Sequence, residues 1–381
     1  MGNATFSLWE KESYLGPRDV VIVGGGLVGL WSAWFLLQAR PSLRITLLER
    51  GLLPSGASTR NAGFACFGSP GEIVRDIRTM GRDRALELVD LRFRGLERLK
   101  RLLPPSVTGY EETGGYECFL RGQDYEDVRE ALDGLNRDLR DITGHYPVFV
   151  LADGDLGGLG LRGFDHLIGN PLEGALHSGR LLQALTRTVQ SLGATCLTGV
   201  SVRAWEEGPG GVEVHTDQGF SVHCGGLLVC TNGFARQLLG EVDVAPARGQ
   251  VLVTEPIPGL SLSGTFHYDQ GFYYFRNLGD RVLLGGARNQ AFTEEATVAM
   301  GTTAPIQEAL EAFLHRHIPQ AVGVPVSDRW AGIMGMGSEK RPLLQQVSGH
   351  VFCAVRLSGM GVAISSLVGE QAADLVLGGI F

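Results

Sequence analysis

The sequence predicts an α/β fold. Three features predict it: an apolar run broken by glycines near the start, a short strand ending in an acid just after it, and a series of strand-like runs further on. At 381 residues, with 44% apolar and 19% charged side chains, the chain can bury a large core and suggests two or so domains. The formal net charge of -8 gives no electrostatic reason to expect nucleic acid or an anionic membrane as partner. A small-molecule substrate is expected instead.

The first feature is "VVIVGGGLVGLWSAWFLLQA", twenty uncharged residues between Asp19 and Arg40. About twenty apolar residues would suffice to span a bilayer as a helix. Val20 to Val23, however, are mostly β-branched and suit a strand buried on both faces of a parallel sheet. The glycines at 24, 25 and 26 would each cost a helix roughly 1 kcal/mol relative to alanine. Beyond Gly29, the residues Leu30, Ala33, Trp34 and Leu37 follow the spacing of one helical face. The run therefore reads as strand, tight turn and helix, with no membrane span.

That reading sets Gly24, Gly26 and Gly29 as G-x-G-x-x-G at a strand-to-helix junction, with Leu27 and Val28 inside the motif. Missing Cβ atoms let a pyrophosphate approach the backbone, and the helix N-terminus offers N–H groups and a positive dipole end. "RITLLER" reads as the second strand and ends in Glu49, twenty residues after Gly29, where an acid can accept ribose hydroxyls. Dinucleotide binding follows.

The six cysteines are scattered without a C-x-x-C pair, so neither a zinc site nor a disulfide framework is indicated, and no metal is expected. A reducing, cytoplasmic setting fits that usage. The first residues lack a basic segment followed by an apolar one, so they do not read as a secretory signal. Phe6 stands where a myristoylation motif wants Ser or Thr. The sequon Asn3-Ala4-Thr5 reads as chance.

An acid followed by Arg50, then "GASTRNAG", resembles the FAD-binding signature of the D-amino-acid oxidase superfamily, which includes glycine oxidase, sarcosine oxidase and gamma-glutamylputrescine oxidase. In that family the segment corresponding to Ser58, Thr59, Arg60, Asn61, Ala62 and Gly63 runs along the flavin diphosphate and ring. The residue types suit this: Ser58 and Thr59 can donate to phosphate, and Gly63 permits close approach to the isoalloxazine. "NPLEGALHSGRLLQALTRTVQSLGATCLTGVSVRAW" is similar to the family's helix and adenine-contacting strand, which implies backbone contact near Val202. "GGLLVCTNGFA" resembles its second flavin-contacting strand, with Thr231 and Gly233 beneath the diphosphate. "VRLSGMGVAISSLVGEQAADLV" looks like its closing strand, glycine loop and helix. The resemblance aims the loop containing Gly359, Met360, Gly361 and Val362 at the flavin N1–C2=O2 edge, where donors favour the reduced flavin. Gly332 is counted with these contacts.

The fold implied is a discontinuous, Rossmann-like FAD-binding domain of the glutathione-reductase type, at 1–100, 156–240 and 328–381. Inserted in it is an antiparallel-sheet α+β substrate-binding domain at 101–155 and 241–327. "YECFL", "GQVLVTEP", "GFYYFRNL" and "DRVLLGGAR" read as its strands and "APIQEALEAFLHRHI" as a helix. The resemblance also implies FAD, and a noncovalent one: no cysteine occurs from Gly335 to Ser338 and no histidine in "GASTRNAG" to carry a covalent link.

Strand alternation in "GFYYFRNL" puts Phe272, Tyr274 and Arg276 on one face and Tyr273 and Phe275 on the other. An aromatic wall with one cation can bind a carboxylate; core packing with Arg276 ion-paired is the competing reading. His267, entering the same sheet, is the one histidine with a candidate role. Tyr273, Arg288, Met334 and Lys340 complete the candidate pocket, while Arg248 reads as structural. Two departures from the family matter. Met334 holds the place where glycine oxidase has its carboxylate-binding arginine, and Ala363 the place of a sarcosine oxidase lysine. Either carboxylate binding moves to Arg276, Arg288 or Lys340, or the substrate's carboxylate is distant or missing; "WAGIMG" and "YYFR" look closer to the gamma-glutamylputrescine oxidase branch, which favours the second.

The resemblance implies oxidation of the C–N bond of an amino acid or amine. A hydride equivalent passes to flavin N5, the imine is hydrolysed, and oxygen reoxidises the flavin to give hydrogen peroxide. The alternative is an FAD-dependent 2-hydroxy-acid dehydrogenase using a quinone or other acceptor. A noncatalytic protein holding FAD as a structural element is the third reading, against which the polar and aromatic substrate sheet argues. Handedness, acceptor and oligomeric state are not fixed by these residues.

Overall fold

The computed structural model describes residues 5–380; Asn3 and Ala4 of the sequon lie outside them. The strands, in chain order, are β1 Arg18–Val23, β2 Ile45–Glu49, β3 Phe64–Ala65, β4 Gly115–Phe119, β5 Val150–Leu151, β6 His166–Asn170, β7 Gly174–Ala175, β8 Thr195–Thr198 and β9 Val202–Gly208. They continue with β10 Gly211–Thr216, β11 Ser221–Val229, β12 Ala245–Thr254, β13 Thr265–Tyr268, β14 Tyr273–Leu278, β15 Arg281–Gly286, β16 Val326–Met336, β17 Leu343–Gln346 and β18 Val351–Val355. The chain divides into two compact units. One comprises the described residues up to Thr59, Gly179–Ala247 and those from Met334 on; the other comprises Arg60–Ser178 and Arg248–Ile333.

The first unit is built on the sheet β17-β18-β11-β1-β2-β8. β1 lies inside it, parallel to β11 and to β2, and its Val20, Val21 and Ile22 are fully buried, as a β-branched run between two layers requires. β18 joins β11 in parallel, while β9 and β10 extend the sheet in antiparallel fashion from β11. The helix Leu27–Ala39 departs from the single apolar face expected of it. Trp31 and Leu36, off the Leu30–Ala33–Leu37 stripe, are also fully buried. The cause is the helix Gly361–Ile380: a Cβ on its Gly369 would lie 2.4 Å from Trp31 Cβ, so the two helices nearly touch backbone to backbone. A helix with two apolar faces is one covered from two sides, and here only Trp34, Phe35, Gln38 and Ala39 are left half-buried or exposed. The uncharged run near the start owes its composition to this covering, and no described helix is long and apolar enough to cross a membrane.

The second unit carries the sheet β16-β12-β15-β14-β13-β4-β6-β5. The strands expected from "YECFL", "GQVLVTEP", "GFYYFRNL" and "DRVLLGGAR" are β4, β12, β14 and β15, and the expected helix is Ala304–His317. β12, β15, β14 and β13 pair antiparallel, but β13 meets β4 in parallel. One face packs on the helix through Phe266, Tyr273, Phe275 and Phe313, with the Tyr273 and Phe313 rings stacked at 4.6 Å. The opposite face buries Ala62, Val251, Val253 and Leu283, with Phe64, Tyr274 and Trp330 against them. Phe272 does not share the face of Tyr274 as alternation suggests. It precedes β14 in the turn and packs with the Tyr273 side, edge-on to Phe292 at 5.5 Å.

The compact units do not follow the expected domain bounds: 60–100, 156–178 and 328–333 lie in the second unit and 241–247 in the first. The reason lies in the partners of those segments. Arg78 of the helix Pro70–Met80 pairs with Asp127 at 2.7 Å on the helix Gln123–Thr143, and β6 pairs along the whole of β4.

Candidate functional site

In the first unit the chain leaves β1 into Gly24, whose φ of +113° only glycine adopts without strain. A Cβ on Gly29 would lie 2.1 Å from the Gly24 carbonyl oxygen, so the helix Leu27–Ala39 can start this close to the strand only with glycine there. Gly26 faces Ser58, whose Oγ accepts a hydrogen bond from the Leu27 N–H at 3.0 Å. Ser58 thus caps the helix start, and the Thr59 hydroxyl donates to the Pro54 carbonyl at 2.6 Å. The Glu49 carboxylate, buried at the end of β2, accepts from the Gly25 and Gly51 N–H groups, each at 2.9 Å. A carboxylate has about four acceptor positions, so lone pairs remain for ribose hydroxyls.

A cavity of about 260 Å³ opens beside this turn, lined among others by Gly24, Arg50, Val202, Thr231 and Phe234. The Arg50 guanidinium stacks 3.7 Å over the Phe234 ring. Thr231 Oγ1 and Ser358 Oγ are buried without a hydrogen-bond partner. Gly233 lies in the turn Asn232–Phe234. The Asn232 side-chain oxygen accepts from the N–H groups of Arg356 and Leu357, fastening the C-terminal loop to that turn. In the loop, Arg356, Ser358 and Gly359 have positive φ, and the helix then begins at Gly361 with Val362. Two loop N–H groups turn inward: that of Met360 donates to Leu357 and that of Ser358 to Gly335. Met334 lies under the loop, its sulfur 3.7 Å from where a Gly359 Cβ would be, and Lys340 sits in the turn between β16 and β17. A glycine-walled helix start, an acid with spare acceptor capacity and two orphaned hydroxyls fit a dinucleotide.

The second unit carries the rest of "GASTRNAG" and the candidate substrate residues. The Asn61 side-chain oxygen accepts from the Gly63 N–H at 2.7 Å and from the Ser178 hydroxyl at 2.6 Å. Arg60 donates to the Ala331 carbonyl at 3.0 Å, its own carbonyl accepts from the Trp330 indole at 3.0 Å, and Gly332 packs on it. Ala62 is buried on the sheet. Gly63, at φ +71°, lies against Arg276: a Cβ there would be 3.1 Å from Nη2.

β14 presents Tyr274 and Arg276 on one face and Tyr273 and Phe275 on the other, with Tyr273 deep in the helix-side core, its hydroxyl accepting from Gln290 at 2.6 Å. Across the ladder Tyr274 pairs with His267 and Arg276 with Thr265. The Phe64 ring stands edge-on to both His267, at 5.1 Å, and Tyr274, at 6.0 Å. Burial pushes the His267 imidazole down to about 4 and the Tyr274 phenol up to about 12, so both are neutral through the physiological range.

Arg276 is the exception among the buried guanidiniums of this unit. Arg92 reaches Glu72 at 3.0 Å, and Arg248 grips both oxygens of Glu295 at 2.8 and 2.6 Å, which makes Arg248 structural. Arg276 is 6% exposed, donates only to the Leu176 carbonyl at 3.2 Å, and leaves Nε without a partner. Burial lowers it to about 10.

Two further carboxyl groups, unremarked in the sequence, lie behind this face. Glu117 and Glu173 line a cavity of about 10 Å³ with Ser69, Asn170 and His267, room for about one water. Glu117 accepts from the Gly71 N–H at 2.6 Å and Glu173 from the Phe67 N–H at 2.9 Å. Burial outweighs those bonds and raises them to about 7 and about 8. Asn170 Nδ2 and His267 Nε2 are buried and unpartnered. The polar residue inside "YECFL" was the available sign of Glu117.

A sheet with a parallel core whose first turn is shaped for a diphosphate defines the chain as a dinucleotide-binding protein. A family model described as FAD dependent oxidoreductase (DAO) matches residues 19–375. The chain belongs to that family, and FAD is its cofactor. Among relatives, the probable oxidoreductase OrdL of Haemophilus influenzae is 24% identical, over 94% of this chain and 83% of its own. The bifunctional protein ThiO/ThiG of Trichormus variabilis is 26% identical over 94% of this chain, which spans 54% of that relative's length. Among solved structures, L-proline dehydrogenase from P. horikoshii superposes with a TM-score of 0.76 at 17% identity, covering 96% of this chain and 95% of that one.

Proposed function

We propose that this flavoprotein oxidises the C–N bond of an amino acid or related amine that carries a carboxylate, and that Arg276 binds that carboxylate. The observation that carries the reading is the buried Arg276 guanidinium without an ion pair among the described residues; Glu111 acts on it only through space, and burial outweighs that. A buried cation is costly unless paired, and a bidentate carboxylate is the partner its planar fork fits best. The L-proline dehydrogenase that shares the fold is named for an amino-acid substrate, in keeping with this reading.

When bound, FAD supplies the electron chemistry, accepting a hydride equivalent from the carbon that bears the nitrogen. The chain's own residues supply position. The residues of "GASTRNAG", Glu49, Arg50, Val202, Thr231, Gly233, Gly332 and the Gly359–Val362 loop hold the cofactor, noncovalently. Arg276 fixes the carboxylate and with it the face of the substrate, while Tyr274 and Phe64 form an apolar wall that excludes water. His267, neutral at working pH, supports that wall and does not act as the base. The amine enters as the neutral species, the imine product is hydrolysed by water, and oxygen is the reoxidant. The reaction takes place in the cytoplasm, in keeping with six free cysteines.

The test is anaerobic bleaching of the flavin absorbance by carboxylated and uncarboxylated amines and by 2-hydroxy acids. Bleaching by carboxylated amines is expected. Bleaching only by uncarboxylated amines would remove Arg276 from the role, and bleaching only by hydroxy acids would replace the amine with an alcohol.

A further inference from the structure

We propose that Arg288 binds a second anionic group, so that the substrate is an amino acid with a further carboxylate at its other end. This rests on the reading of Arg276 as the first anchor and adds the class of side chain.

Three features of the end of β15 carry it. First, the backbone there is forced into an uncommon course. Gly286 has φ +126° and a Cβ on it would lie 1.9 Å from the Phe272 carbonyl oxygen. Ala287, fully buried, follows at φ +59°, in the left-handed region that costs a non-glycine residue on the order of 1 kcal/mol or more. Ala287 is held there by its N–H, which donates to Phe272 at 2.7 Å, and by its carbonyl, which accepts from Gln290. The bend sends Gln290 to Tyr273 on the helix side of the sheet and sets Arg288 in the turn just past Gly285 and Gly286, the residues paired with Tyr274 and Tyr273.

Second, Arg288 has no ion pair among the described residues. The acid nearest in effect, Glu295, already has its ion pair: Arg248 holds both its oxygens and the Gln250 amide adds a bond at 3.0 Å. Arg288 rests instead with its Cζ 4.8 Å over the Phe292 ring, which supports a guanidinium without neutralising it.

Third, register orders Arg276, Tyr274 and the turn that carries Arg288 along the sheet. Arg276 pairs with Leu283 and Tyr274 with Gly285, so passing from Arg276 to Tyr274 moves toward the end of β15, beyond which Arg288 lies. The Tyr274 ring lies flat across Gly285, where a Cβ would meet its phenolic oxygen at 2.7 Å. Adjacent same-face positions along a strand are about 7 Å apart, so Tyr274 stands one step from Arg276 toward the turn that carries Arg288, and two long guanidinium side chains reaching from those places would suit a ligand with an anion at each end.

The test uses the FAD-loaded protein and pairs of isosteres: glutamate against glutamine, in both hands, as bleaching substrates, and glutarate against its monoamide, glutaramate, as unreactive ligands that perturb the flavin spectrum. The dicarboxylate should half-saturate at least about tenfold lower than its neutral isostere, the size of one charge-assisted pair. R288Q should abolish that preference and leave the monocarboxylates within a few-fold. Equal binding of glutarate and glutaramate by the unaltered protein, or a preference that survives R288Q, would overturn the inference while leaving Arg276 in place. Should only uncarboxylated amines bleach the flavin, the Arg276 reading fails and this one with it. The ligand comparison in the unaltered protein decides the matter even where R288Q fails to fold.

Discussion

His267 and Glu117 face each other as a register pair on the parallel strands β13 and β4, an imidazole beside a carboxyl group in the interior. Burial holds the first at about 4 and the second at about 7, so near neutrality the imidazole is uncharged while the carboxyl group is at its midpoint. The neighbouring charges are Glu72, which raises both groups, Arg92, which lowers His267, and Arg75, which lowers Glu117.

That arrangement makes stability fall with rising pH. Folded Glu117 and Glu173 keep their protons to about 7 and about 8, against 4.5 when unfolded. Their contribution is therefore complete below 4.5 and lost as pH rises through those values, with a slope of up to about 1.4 kcal/mol per pH unit for each proton released on unfolding. His267 works in the opposite sense, since its contribution is lost as pH falls from 6.5 through about 4. From 6.5 to 8 the carboxyls act alone. Melting temperature should decline across that window, and E173Q should flatten the decline.

His267→Gln tests the neutral imidazole. Because the group does not titrate near neutrality, the pH profile of substrate bleaching from about 6 to 8 should be unchanged, while KM shifts a few-fold through the loosened Phe64 edge contact. A lost ionisation in the profile would make His267 a proton carrier instead.

Arg276→Gln separates a binding group from a structural one. The kcat/KM for carboxylated amines should fall by about a hundredfold or more, with uncarboxylated amines changed little. The melting temperature of the ligand-free protein should hold or rise, because a buried charge without a partner is removed. A fall in melting temperature would mean the guanidinium serves the fold.

Gly29→Ala puts a methyl group 2.1 Å from the Gly24 carbonyl oxygen, so the helix start must move. FAD affinity should drop roughly ten- to hundredfold, read as the ratio of flavin to protein absorbance after dialysis. Undiminished flavin content would place the cofactor's diphosphate elsewhere.

Acid precipitation should release all the flavin into the supernatant, since the proposed holding is noncovalent. Colour that stays with the pellet would show a bond to the chain.

What was legible in the sequence was local. The glycine turn, the strand ending in Glu49 and the alternation of Tyr274 and Arg276 are each set within a few neighbouring residues. What escaped was set by pairing between distant segments. Glu117 and Glu173 become buried only when β4 lies between β13 and β6, and the solitude of Arg276 shows only when the carboxylates of Arg92 and Arg248 can be traced. Phe272 went to the wrong face because the chain is still turning there. The helix Leu27–Ala39 looked one-sided because its second cover comes from Gly361–Ile380, at the far end of the chain.

The parallel joint between β4 and β13 ties residues 115–118 to 265–268, and β1 waits likewise for β11 and, through it, for β18. On a ribosome, at about 5–20 residues per second, the early strands therefore spend many seconds with unpaired edges before their neighbours are made. Such distant pairing makes for slow folding and leaves the unfinished chain prone to aggregate. Shielding by chaperones during synthesis should matter more to its yield than the strength of any single contact.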